Sequence, residues 1–178
     1  TSTSSPPRTK AAIAVKMAGA TQAIFTAIAA FVRGGDEVLV FEPVYDSYVP
    51  AIETVGGKAV YASLDFPDYK PDWNQVRTLI TSRTRMIIIN SPHNPSGSLL
   101  DTDDLAVLAE LTRDTDIVVL SDEVYEHIVF DAARHASVAS NPELAARSIV
   151  VSSFGKTYHI TGWKIGYVLA AAALMSEF

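Results

Sequence analysis

Short, continuous apolar runs separated by stretches of helical character constrain this chain more than any other feature. Residues 37–41 (Glu-Val-Leu-Val-Phe), 58–62, 85–90 (Arg-Met-Ile-Ile-Ile-Asn), 116–120 and 148–151 lack the apolar/polar alternation of a half-exposed strand. Strands of that kind are buried on both faces, and a parallel sheet with helices on each side buries them. The intervening segments supply those helices. Residues 22–32 are apolar nearly all round, with Ile24, Phe25, Ile28 and Phe31, and stop at Gly34-Gly35. Residues 47–55 form a second helix ending at Gly56-Gly57. Asp72 and Gln75 form a capping box for a third, which runs to about residue 82. Asp101 caps a fourth, with Leu105, Leu108 and Leu111 at helical spacing, and Asn141-Pro142 starts a short fifth. A final strand pair follows, its second member spanning residues 165–172. Residues 11–15 read as a short strand and 127–130 as a local extension. The pattern predicts an α/β fold, a three-layer sandwich around a mostly parallel sheet.

The polar residues 1–10, with Pro6-Pro7, read as a disordered lead. We expect residues 1–16 to be an atypical lead and 17–178 to form one domain. Net charge is −6, from 14 basic and 20 acidic residues, which disfavours nucleic acid as a partner. There is no cysteine, so a disulfide scaffold, a thiolate nucleophile and a cysteine-liganded zinc are excluded. No metal site is read from the sequence. No signal peptide is visible and the apolar runs stop well short of a membrane span, which makes a cytoplasmic protein the expectation.

In parallel sheets, ligands sit beyond the carboxyl ends of the strands. The polar residues found there are therefore the candidates. Lys156 stands on a tight turn after the run 148–151, flanked by Gly155 and Thr157, with Ser153 three residues before it and Lys164 eight after. A solvated loop lysine is the ordinary reading. A partly desolvated lysine, by contrast, gives up its proton readily and forms a Schiff base with a carbonyl. Ser153 and Lys164 could hold an anion beside that carbonyl. An aldehyde joined to a phosphate describes pyridoxal phosphate.

Ser153-Phe154-Gly155-Lys156 followed by Gly162-Trp163-Lys164-Ile165-Gly166 resembles the lysine motif of fold-type I pyridoxal-phosphate-dependent aminotransferases of class I/II. Within that family the chain is most similar to the methionine and kynurenine (glutamine) subgroup. The resemblance runs from about residue 18 to 170 and leaves out the first sixteen residues.

The resemblance implies the large, cofactor-binding domain of such an enzyme, with pyridoxal 5'-phosphate as cofactor. Lys156 would carry the Schiff base and move the proton. Asp122, in Asp122-Glu123-Val124-Tyr125, would face the pyridine nitrogen; the ordinary alternative is a helix cap for residues 123–126. Tyr125 and Asn94, the latter in Asn94-Pro95-Ser96-Gly97, would reach the cofactor's phenolic oxygen. The backbone of Ala20, Thr21 and Gln22 at a helix start, together with Ser153 and Lys164, would hold the phosphate. Many relatives carry arginine where this chain has Lys164, a change shared with the subgroup. Tyr45 would stack on the ring, while Tyr48 reads as a core residue. His93 reads as an ordinary loop histidine.

Members of the family are much longer, so the chain reads as a fragment lacking the amino-terminal segment and the small carboxy-terminal domain. The missing parts carry the substrate-carboxylate arginine, and the full-length protein would be a homodimer. The implied reaction is transamination of an amino acid of methionine, glutamine or aromatic type with a 2-oxo acid. A carbon–sulfur β-lyase on the same scaffold is the alternative. A ligand-sensing domain of a transcription regulator is a further one, and it would need an attached basic helix-turn-helix.

Overall fold

The computed structural model describes residues 12–178, so the expected disordered lead lies outside the described residues. Seven strands form one sheet among them: β1 (Ala12–Met17), β2 (Glu37–Glu42), β3 (Lys58–Ser63), β4 (Thr84–Asn90), β5 (Val118–Asp122), β6 (Ser148–Ser153) and β7 (Gly166–Ala171). Their spatial order is β1-β7-β6-β5-β4-β2-β3. Strands β2 to β6 are mutually parallel, and β7 runs antiparallel to both β6 and β1. The sheet is therefore mostly parallel, as the unbroken apolar runs require.

The strand expected over residues 11–15 is β1, whose partner β7 lies at the other end of the chain. Residues 12–16 thus belong to the sheet. No strand forms over residues 127–130. The chain turns there, with Glu126 N–H donating to Glu123 O (3.0 Å) and Ile128 N–H to Tyr125 O (2.7 Å). Within the segment, the Ile128 donor is thereby turned back on its own chain instead of toward a neighbouring strand.

The helices are α1 (Ala20–Phe31), α2 (Tyr48–Thr54), α3 (Trp73–Leu79), α4 (Thr102–Thr112), α5 (Pro142–Ala145), α6 (Phe154–Thr157) and α7 (Ala172–Met175). Helix α1 begins two residues before the expected start, directly after Gly19, whose φ of 91° only glycine adopts without strain. Asp72 caps α3 through the N–H groups of Asn74 and Gln75, but Gln75 does not return the bond. The reciprocal capping box is at α4 instead, between Asp101 and Asp104.

Alternation along the strands builds two cores. Val40, Ile88, Leu120 and Val151 face α1 and α2 on one side of the sheet. Leu39, Ile87, Val119 and Val150 face α3 and α4 on the other. Each such buried aliphatic side chain contributes about 1.5–3 kcal/mol. The paired registers Asn90–Asp122 and Asp122–Val151 bring the carboxyl ends of β4, β5 and β6 side by side. Gly166 lets the start of β7 close on that edge: a Cβ there would lie 2.7 Å from Ser152 O and 3.1 Å from Ala20 N.

Candidate active site

A cavity of about 850 Å³ opens at the carboxyl ends of β4, β5 and β6, and every site residue named from the sequence borders it. Asp122 closes its floor. As the last residue of β5 it is 3% exposed; its Oδ2 accepts from Tyr48 Oη at 2.6 Å and its Oδ1 from Val124 N–H at 3.3 Å. The Val124 bond shows that Asp122 does cap the turn after β5. Burial raises its pKa from 3.8 to about 6, against the lowering effect of the Tyr48 and Val124 bonds.

Lys156 sits in the single-turn helix α6, with its Nζ 5.4 Å from the centroid of the Tyr125 ring. Here the structure corrects an expectation. Lys156 is exposed rather than partly desolvated, because the cavity opens to solvent and only one aromatic face flanks the amine. The Ser153 hydroxyl is engaged as well. It accepts from Gly155 N–H (3.1 Å), capping α6, and donates a long bond to Ile165 O (3.4 Å). Lys164 borders the cavity from a left-handed backbone position, φ 53°, next to the first turn of α1. In that turn Ala20, Thr21 and Gln22 have N–H groups beyond the reach of intrahelical bonding. Tyr45 lines the wall and meets Tyr48 edge-on, at 5.4 Å between ring centroids.

Asn94 is held from below by a residue the sequence reasoning passed over. Asn90 Oδ1 accepts from Asn94 N–H at 2.7 Å, while Asn90 Nδ2 donates to Asp122 O at 3.0 Å. Asn90 thereby ties the Asn-Pro loop to the end of β5. His93 is not an ordinary loop histidine. It is 7% exposed, with Nε2 donating to Pro43 O (3.0 Å) and Nδ1 paired with Ser96 Oγ (2.7 Å). A carbonyl can only accept, so the proton resides on Nε2. Burial lowers the His93 pKa, which keeps the ring neutral and the staple between the two loops intact. Glu123 anchors the next turn by accepting from Ser121 Oγ, His135 Nε2 and Val138 N–H at 2.8, 2.8 and 3.2 Å. Tyr48 was also missed as part of the site, since its contact with Asp122 spans 74 residues. Only a motif placing an aromatic hydroxyl near a strand end could have signalled it.

The cavity fits the group that the lysine motif implies. A buried carboxylate lies at its floor, a primary amine and a phenol on one wall, and free helix-start N–H groups beside a lysine ammonium at another. These donors and acceptors match a basic ring nitrogen, an aldehyde and a phosphate respectively.

Comparison with known proteins agrees with this reading of the fold. The chain is 49% identical over 160 residues to methionine aminotransferase of Escherichia coli, covering 90% of this chain and 42% of that protein. It is 43% identical over 172 residues to the probable N-succinyldiaminopimelate aminotransferase DapC of Mycobacterium tuberculosis, covering 96% of this chain and 43% of that one. It superposes on the solved structure of Escherichia coli YbdL, described as having a methionine aminotransferase function, with a TM-score of 0.90 and 48% identity; the overlap covers 92% of this chain and 43% of that chain. The chain thus spans less than half the length of these relatives. The family profile for aminotransferase class I and II matches residues 7–178, beginning earlier than the resemblance read from the motifs. With nearly all of its residues inside that match, the chain belongs to the class I and II aminotransferases.

Proposed function

We propose that the protein carrying this chain transfers an amino group between an amino acid and a 2-oxo acid, using pyridoxal phosphate held in the cavity described above. One observation carries the reading: Lys156, Asp122, and the α1 start with Lys164 surround a single cavity at the carboxyl ends of adjacent strands. When bound, pyridoxal phosphate supplies an aldehyde carbon for attachment and a ring that accepts electron density from the substrate's α-carbon. Asp122 holds the proton at the ring nitrogen, its carboxylate stabilised in turn by that positive charge. The hydroxyl of Tyr125 and the amide of Asn94, both on the cavity wall, would donate to the phenolic oxygen, and the Tyr45 ring would stack on the cofactor. The N–H groups of Ala20, Thr21 and Gln22, with Ser153 and Lys164, bind the phosphate. Ser153 does so once its hydroxyl swings from the long bond to Ile165 O. The Lys156 amine would be the attachment point for the cofactor's aldehyde and, when free, would be the base that moves the substrate's α-proton.

On this reading the described residues, 12–178, belong to the large, cofactor-binding domain, β1 included, and the whole protein is a cytoplasmic homodimer. Among the described residues no helix is long and apolar enough to cross a membrane. The substrate is an amino acid of methionine, glutamine or aromatic type. The methionine aminotransferase relative supports that choice, whereas the N-succinyldiaminopimelate relative marks a competing one. The test is a panel of amino acids with 2-oxo acid acceptors, assayed on the intact protein by appearance of the paired products. Pyruvate and ammonia released from a cysteine conjugate without any acceptor would replace transamination with β-elimination.

A further inference from the structure

Tyr48 reaches Asp122 from outside the cavity. It stands at the first position of α2, is 3% exposed, and is absent from the cavity wall. Its hydroxyl nevertheless makes the shortest bond to Asp122, 2.6 Å to Oδ2, and no other described residue donates to that oxygen. Phenol-to-carboxylate bonds of this length are charge-assisted and strong. Burial works against the charge on Asp122, whereas a donor on Oδ2 works for it. The Tyr48 hydroxyl itself stays protonated, since burial and the neighbouring carboxylate both push its pKa well up. The other titratable groups facing this pair are Tyr45, from the loop before α2, and Glu123 and Tyr125, from the turn after β5. None of them hydrogen-bonds to either member of the pair.

We propose that Tyr48 is a positioning residue for Asp122, fixing its carboxyl in one orientation and holding it in the ionised form that a protonated ring nitrogen needs. The inference rests on the pyridoxal phosphate reading of the cavity. It goes further by assigning control of the Asp122 charge to a side chain that never touches the ligand. A tyrosine serving only as core filling would lose nothing on conversion to phenylalanine, because the ring and its edge-on contact with Tyr45 remain. A donor holding a buried charge would lose the bond and leave that charge poorly compensated.

The experiment uses the intact protein in two forms. In the cofactor-free form, the Asp122 carboxyl stretch is titrated by difference infrared spectroscopy and assigned by its disappearance in Asp122→Asn. Tyr48→Phe is expected to move that titration upward by about one to two pH units, the equivalent of one charged hydrogen bond. In the loaded form, the same variant is expected to bind pyridoxal phosphate roughly tenfold more weakly at neutral pH, recovering part of the loss as pH rises and Asp122 ionises. A second variant guards against misfolding: 3-fluorotyrosine at position 48 keeps the shape, strengthens the donor, and should move the titration downward. An unshifted Asp122 titration in both variants, with normal cofactor binding by the unaltered protein, overturns this inference alone. Failure of the unaltered protein to bind pyridoxal phosphate at all overturns it together with the proposed function.

Discussion

Replacing Asp122 by asparagine in the cofactor-free protein removes a carboxyl whose pKa is about 6 in the folded chain against an ordinary 3.8. Burial is the main cause; the Tyr48 hydroxyl and Val124 N–H oppose it, and Glu123 adds to it. The folded state holds this proton more tightly than the unfolded state does. The stabilising contribution is therefore fully present below about pH 4 and is lost as pH rises through about 6. Ionising Asp122 inside the fold costs about 3 kcal/mol. Asparagine keeps a carbonyl for Tyr48 but has no proton to lose. The stability of Asp122→Asn relative to the unaltered protein should thus rise by about 2–2.5 kcal/mol between about pH 4 and 7. Urea unfolding of both proteins at closely spaced pH values measures this, and the other carboxylates cancel in the difference. Saturating pyridoxal phosphate should shrink the effect by pairing the carboxylate with a cationic nitrogen. A difference that stays flat across that range would show that Asp122 is not desolvated and would refute the reasoning.

Three further outcomes follow from the same geometry. Lys156→Ala should abolish turnover and eliminate the borohydride-trapped adduct, which peptide mapping of the unaltered protein should locate at position 156. Gly166→Ala puts a Cβ 2.7 Å from Ser152 O and 3.1 Å from Ala20 N, so it should cost about 1–3 kcal/mol and weaken phosphate binding as α1 is pushed from β7. An unchanged melting temperature would show that the close approach is not required. Lys164→Ala should weaken pyridoxal phosphate about tenfold to a hundredfold, the worth of one charged contact, while binding of pyridoxal lacking the phosphate stays the same.

Much of the fold was legible because local chemistry dictates it. Apolar runs without alternation favour burial on both faces, and β2, β4, β5 and β6 are buried in that way, whereas β3, from the run 58–62, lies at the sheet edge and stays largely accessible. Asp101 and Asn141 mark helix starts through bonds to N–H groups two and three residues away, which any chain with that spacing can form. Ser153, Lys156 and Lys164 lie within one short segment, so the spacing of the motif carries their proximity. The extension expected over residues 127–130 is absent: the chain turns over 124–127 and Ile128 N–H bonds back to Tyr125 O.

What the sequence by itself determined was the set of elements, the polar residues at strand ends, and the family those residues resemble. These depend on interactions spanning a few positions. The tertiary structure alone decided that Tyr48 holds Asp122, that Asn90 supports Asn94, that β1 closes on β7, and that Lys156 stands exposed. A hydrogen bond between distant residues needs a direction as well as a partner, and desolvation depends on whatever surrounds a group in space. Neither is encoded by neighbours in the chain, so both emerge only when the sheet brings its strand ends together.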